Sequence, residues 1–190
     1  MSHNFLFNAI FHSVLNVIDR DLMDQAKQKG CPFCKNKLHR ANYPRSPAGM
    51  PAEFREHYDS RLSLCCSICR KRTTSPSVRF FGRRWFPAPI FILICILQCG
   101  INERRLLQIK KHFGITVSEI TWKRWRRWWR ETFMTTKFWQ QAKGIAPIDE
   151  TTTQNIARVL FDLFLGNLED KIQLLLQFLS PLTGGVLRAV

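Results

Sequence analysis

Two cysteine pairs constrain this chain more than any other feature. Cys31-Pro32-Phe33-Cys34 and Cys66-Ser67-Ile68-Cys69 share the two-residue spacing that lets a tight turn aim two thiolates at one point. Four soft thiolates around one point suit a tetrahedral Zn²⁺ site. Gly30 before the first pair, Pro32 inside it and Lys35 after it fit a metal knuckle. Residues 35–65 separate the pairs, a longer gap than the about 15–20 residues of the compact pattern. Pro44, Pro47, Gly49 and Pro51 fall in that gap, so it is expected to include an irregular loop. A redox dithiol, or reduced cysteines without metal, are the alternatives; two matched pairs favour the metal. Cys65 adjoins Cys66, and the spacing favours Cys66 as the ligand while leaving Cys65 open. His39 and His57 are ligands in principle, but four cysteines make them unnecessary.

Size and charge set the rest of the frame. The chain has 190 residues, is 45% hydrophobic, and carries 29 Lys and Arg against 14 Asp and Glu, a net charge of +15. It can bury a core, and its charge draws polyanions: DNA, RNA or an acidic membrane surface. The segment from Met1 to Phe11 has no basic leader region and no small-residue cleavage site follows it. The expectation is a reducing, cytoplasmic setting, where paired cysteines bind metal instead of bridging. The longest apolar run, Ile90 to Leu97, is far short of the about 20 residues a membrane span needs, so no membrane partner is expected.

Taken in order, residues 4 to 27 read as a helix. Phe7, Ile10, Phe11, Val14, Leu15, Ile18 and Leu22 form its apolar face, and Asp19, Arg20, Asp24 and Lys27 are more polar. That face is expected to pack on the fold, with a homodimer contact as the alternative. Gly30 ends the segment. Lys37 to Tyr43 and Arg61 to Cys65 read as strands leaving the first knuckle and returning to the second, since Leu62 and Leu64 alternate with polar neighbours. The basic cluster Arg70, Lys71, Arg72, Arg79, Arg83 and Arg84 follows.

Residues 88 to 132 read as three short helices. Pro87 and Pro89 precede a buried helix built from Ile90 to Leu97, in which Cys95 and Cys99 are core residues. Asn102 caps a second helix with Leu106, Ile109 and Phe113 on one face, and Gly114 stops it. Ser118 caps a third that runs through Arg130. Three short helices with a tight turn before a basic third one match a helix-turn-helix. On the third helix Trp122, Trp125 and Trp129 recur at three and four and are expected to face the core. Ser118, Lys123, Arg124 and Arg127 point elsewhere, on the face that would enter a major groove. Residues 134 to 148 read as a linker with a short turn around Phe138-Trp139. Residues 151–165 and 167–180 read as two amphipathic helices split at Gly166-Asn167, where acidic residues concentrate, and Pro181 with Gly184-Gly185 begins a tail. No phosphate-binding glycine loop, serine elbow or His-Glu-x-x-His is present, and the acids are few, so no enzyme is expected.

The Cys31/Cys34 and Cys66/Cys69 knuckles followed by a basic helix-turn-helix resemble the zinc-ribbon plus helix-turn-helix proteins of bacterial insertion sequences and transposons. The stretches Leu38 to Arg45, Arg72 to Arg84 and Arg124 to Trp129 also resemble a family of mostly uncharacterised bacterial proteins of similar length, over roughly residues 30 to 135. The resemblance implies a mobile-element or genome-associated DNA-binding protein, nucleoid-associated, with a transposase or other mobile-element protein as partner.

The resulting expectation is a mainly α protein with a small zinc ribbon: an N-terminal helix (1–29), a four-cysteine ribbon (30–86), a helix-turn-helix (87–133) and a C-terminal helical hairpin (134–190). Zn²⁺ is the cofactor, held by Cys31, Cys34, Cys66 and Cys69. Double-stranded DNA is the ligand, met by Ser118, Lys123, Arg124 and Arg127 and by Arg70, Lys71, Arg72, Arg83 and Arg84. The alternative is an assembly adaptor that holds RNA through its basic middle and a protein partner through its terminal helices.

Overall fold

A computed structural model describes residues 4–50, 52–81, 86–96, 117–145 and 155–186. The protein is mainly helical, with a small antiparallel sheet around the cysteines. By compactness the chain falls into two units, Met1–Ala88 with Leu176–Val190, and Pro89–Leu175. This division does not follow the four sequence segments, because the C-terminal segment is shared between the units.

The first unit opens with a 3-10 turn, Asn4–Phe7, and helix α1, Ala9–Gln28. Asn8 caps α1, its Oδ1 accepting from the Ile10 amide at 3.0 Å. Gly30 ends the segment, as its residue type foretold: its φ is +71°, and a Cβ there would meet the Lys35 carbonyl oxygen at 2.8 Å. The buried stripe of α1 differs from the expected one. It runs Phe11, Leu15, Asp19 and Met23 at four-residue steps, with His12 beside it. Phe7 and Ile10, read as core, are exposed. Asp19, read as polar surface, is fully buried because three donors converge on it. Ser77 Oγ and Arg79 Nε reach Oδ2 at 2.6 and 2.8 Å, and the Val78 amide reaches Oδ1 at 2.7 Å. A buried carboxylate with all three partners in place is satisfied rather than orphaned.

Each of the two expected strands, 37–43 and 61–65, is broken into two short ones that belong to different sheets. β1 (Leu38–Arg40), β4 (Ser63–Cys66), β5 (Arg72–Thr74) and β6 (Gly185–Val186) make one sheet in the order β1-β4-β5-β6. β2 (Tyr43–Pro44) and β3 (Ser60–Arg61) form a separate antiparallel pair. The long gap between knuckles contains a 3-10 segment, Ala52–Tyr58, that buries Phe54 and Tyr58. Residues 181–186 are not a tail. Ser180–Thr183 is a 3-10 turn, and β6 pairs antiparallel with β5, Val186 opposite Thr73. Thr183 fixes this return: its Oγ1 accepts from the Ser77 amide at 2.6 Å, and its carbonyl accepts from Arg61 Nη2 at 3.4 Å.

The second unit contains most of α2 (Ala88–Ile96), an apolar helix whose described residues are all buried or nearly so, Cys95 included. The expected second helix of the helix-turn-helix, residues 102–113 with Gly100 and Gly114 at its ends, lies outside the described residues, as does Cys99. α3 (Glu119–Arg127) begins where expected, with Ser118 Oγ accepting from the Thr121 amide at 3.3 Å. It passes into a π-helical turn, Trp128–Phe133. The stretch expected as a linker contains a helix, α4 (Lys137–Ala142), capped by Thr136 and anchored by buried Trp139. α5 (Ile156–Asp162) and α6 (Leu168–Leu179) follow within the two expected helical segments. Between them Gly166 has φ +110°, and Asn167 and Asp170 cap reciprocally, each side chain accepting from the other's amide at 3.0–3.1 Å.

Candidate metal centre

The fold delivers the two cysteine pairs to one place. β1 leads out of the first knuckle and β4 leads into the second. Their pairing sets Leu38 opposite Cys66 and His39 opposite Cys65. Successive residues of a strand face opposite sides of the sheet. Cys66 therefore turns inward with Leu38, and Cys65 turns away, its Sγ directed at the Arg70 carbonyl at 3.4 Å. This resolves the adjacent cysteines: the Sγ atoms of Cys31, Cys34, Cys66 and Cys69 all lie within 4.8 Å of one another, and Cys65 is not in the group. Neither His39 nor His57 belongs to it; the His57 Nδ1 instead accepts from Asn16 Nδ2 at 2.6 Å.

The distances suit a tetrahedral ion. Cys31 and Cys69 sulfurs are 3.6 Å apart and Cys34 and Cys66 sulfurs 3.4 Å apart. Metal–sulfur bonds of about 2.3 Å in a tetrahedron require edges slightly longer than these, and a disulfide would require about 2 Å. Four thiolates this close can hold a metal ion.

The surroundings favour the charged form at Cys31 and Cys34 and oppose it at Cys69. The Asn36 amide is the main influence on Cys34, and with the Cys66 sulfur it brings the Cys34 thiol down to about 6. Burial pushes Cys31 up, but the Cys34 and Phe33 amides and the Cys69 sulfur leave it below its ordinary value. The Lys71 amide pulls Cys69 down; burial and its three sulfur neighbours outweigh that and push it up to about 12. Sulfurs sharing one site cannot all ionise alone, and a divalent cation removes that conflict. The Ile68 amide also points at Cys66 Sγ, at 3.4 Å. Met23, Leu38 and Leu64 close the inner side of the cluster, so α1 packs directly on the four cysteines.

The residues expected to meet nucleic acid fall into three groups. Arg70, Lys71 and Arg72 are exposed beside the second knuckle. Arg83 and Arg84 lie outside the described residues. On α3 and the π-helical turn that continues it, Trp122, Trp125 and Trp129 are buried, while Lys123, Arg124 and Arg127 are exposed, which is the division of faces that the spacing predicts. Ser118 is committed to its cap. Lys123 pairs with Glu119 at 2.8 Å and Arg127 with Glu131 at 2.6 Å. Among the described residues, Arg124 forms no ion pair.

Residues that the pattern did not single out are Asp19, Arg61 and Arg79. Arg79 reads in sequence as one more cation of a basic run, yet it is buried against Asp19 and donates to the His57 carbonyl. Arg61 is also buried, its Nη2 on the Ser75 carbonyl at 2.5 Å, and burial brings its guanidinium down to about 10. No local signal marks them, since their partners are remote in sequence. Among the described residues no helix is long and apolar enough to cross a membrane. The chain matches no family model, no curated protein and no solved structure.

Proposed function

We propose that this chain is a zinc-containing DNA-binding protein in which the metal is structural and α3 contacts duplex DNA. Its place would be that of a regulator or accessory subunit of a bacterial transposition or mobile-element system, a context that rests on the resemblance alone. The observation that carries DNA binding is the division of α3 and the turn that continues it: three tryptophans buried on one face, and Lys123, Arg124 and Arg127 exposed on the other, in a chain of net charge +15. The flanking Glu119 and Glu131 do not argue against this. Exposed i,i+4 pairs are weak and screened by salt, so a phosphate can displace the carboxylate. Arg124, with no such pair to break, is the strongest candidate to reach a base edge. Zinc is favoured over other ions by the all-thiolate donor set and the tetrahedral edges.

A salt titration of duplex binding tests the reading. Arg124→Ala is expected to weaken binding with little change in melting temperature, and a guanine contact would cost about 1–3 kcal/mol of sequence discrimination. Lys123→Ala should lower the salt slope by about one unit. Wild-type duplex affinity in the Arg124 variant would remove α3 as the reader. The adaptor reading draws on Leu165, which is 86% exposed at the α5–α6 turn. It is favoured instead if structured RNA of equal charge outcompetes the duplex.

A further inference from the structure

The two knuckles repeat a pattern beyond their cysteines. Each places an apolar residue just before its second cysteine, Phe33 and Ile68, and a cation just after it, Lys35 and Arg70. Lys35 and Arg70 share one backbone conformation: among the described residues they are the non-glycine residues with positive φ, at 61° and 58°. The apolar residues are not packed away. Phe33 is 43% exposed and Ile68 67% exposed. One exposed apolar side chain needs no explanation. Two at the same position of two equivalent turns, each followed by a cation, do.

The charge is available as well. Lys71 Nζ lies 4.2 Å from the Phe33 ring centroid, so the chain leaving the second knuckle reaches the tip of the first. Among the described residues Lys35, Arg70 and Lys71 form no ion pair, unlike Lys123 and Arg127 on α3. Because Phe33 and Ile68 each sit between two cysteines of the cluster, a bound metal would hold them rigid. A rigid contact loses little entropy on binding. The tip thus offers a ring, an aliphatic side chain and several cations in a fixed arrangement.

A duplex presents base edges in its grooves and hides the base faces. An unpaired strand offers both a flat apolar face and a phosphate per nucleotide. We propose that the knuckle tips bind single-stranded nucleic acid, an unpaired base stacking on Phe33, its neighbour touching Ile68, and Lys35, Arg70 and Lys71 meeting the adjoining phosphates. The inference rests on the nucleic-acid reading above and adds a second contact, separate in chemistry from α3.

The test uses full-length, zinc-loaded protein titrated by fluorescence anisotropy with oligothymidylate, with a fully paired duplex of equal phosphate count, and with polyglutamate. Phe33→Ala is expected to weaken the single strand by roughly ten-fold, as loss of one stacked base does, and to leave duplex affinity and bound metal unchanged. Phe33→Trp should restore single-strand binding. Ile68→Ser, at a more exposed position, should weaken the single strand without altering the melt. Wild-type single-strand affinity in both Phe33→Ala and Ile68→Ser overturns the proposal. So does loss of metal from Phe33→Ala together with unaltered binding by Ile68→Ser, because Phe33 is then a structural partner of Lys71. Polyglutamate binding as tight as oligothymidylate overturns it too, leaving charge alone. Duplex binding without single-strand binding removes the tip contact and keeps the α3 reading; binding of neither removes both.

Discussion

In the unit formed by residues 1–88 and 176–190 the interior contains Asp19, Arg61, Ser77, Arg79 and Thr183, joined by hydrogen bonds, and His12, bonded to Tyr58 and the Leu6 carbonyl. In the unit 89–175 every described buried side chain is apolar or aromatic, and the Trp122 and Trp129 indole N–H groups have no hydrogen-bond partner among the described residues. Phe91 stacks with Trp129 at 6.2 Å and meets Trp125 edge-on at 5.0 Å. The difference concerns what each interior tolerates. An aromatic cluster is held by area and shape, and it relaxes around a change. A buried polar network is held by matched donors and acceptors, so deleting one member orphans another. The four cysteines add a third kind of constraint to the first unit, since a metal ion held by them would tie all four sulfurs to one point.

The largest effect expected from this contrast is metal removal. Structural thiolate sites contribute about 10–16 kcal/mol of apparent binding energy, comparable to the whole stability of a domain. Chelation, or Cys66→Ser, should abolish amide protection in β1, β4 and β5. Tryptophan emission from Trp122, Trp125, Trp129 and Trp139 should stay that of buried rings. Simultaneous loss of both signals would show that the units unfold as one and erase the contrast.

Next in size are single substitutions in the two interiors. Asp19→Ala leaves the Arg79 guanidinium buried without its carboxylate and should cost about 3–5 kcal/mol. Trp125→Ala removes a large buried ring and should cost a similar about 3–5 kcal/mol. The contrast lies in rescue. Trp125→Phe should recover most of the loss, whereas Asp19→Asn should not, because a neutral amide cannot match a charge. Urea melts of the four variants measure this, and full recovery by Asp19→Asn would break the distinction.

The smallest expected effect is on pH dependence. His12 is fully buried, its Nε2 donating to the Leu6 carbonyl at 3.0 Å and its Nδ1 accepting from Tyr58 Oη at 2.9 Å. Burial, the leading cause, holds its pKa below 6.5, and nearby His57 lowers it further, while the Leu6 bond works the other way. The unfolded chain then binds more protons than the folded one. His12's contribution is fully present above about pH 6.5 and is lost as pH falls toward the folded value. One proton limits the slope to about 1.4 kcal/mol per pH unit. Comparing His12→Phe with wild type across that range isolates the effect from the cysteines; identical slopes would show that His12 binds its proton equally well in the folded and unfolded chains.

What the residues declared by themselves was local. The two-residue spacing of the cysteines predicts the knuckles, Gly30 its left-handed stop, Ser118 the cap of α3, and the three-four recurrence of Trp122, Trp125 and Trp129 the face that is buried. Each signal lies within about one helical turn or one tight turn, the range over which backbone geometry ties neighbours together. Long-range pairing settled the rest. Strand register turned Cys66 inward and Cys65 away. The segment 77–79 made Asp19 a core residue of α1, and Thr183 and β6 drew the C-terminal segment into the ribbon sheet. Nothing local distinguishes Asp19 from Asp24, which stays half-exposed against Arg40. A carboxylate is buried only where remote donors meet it, and those donors are brought there by the tertiary fold.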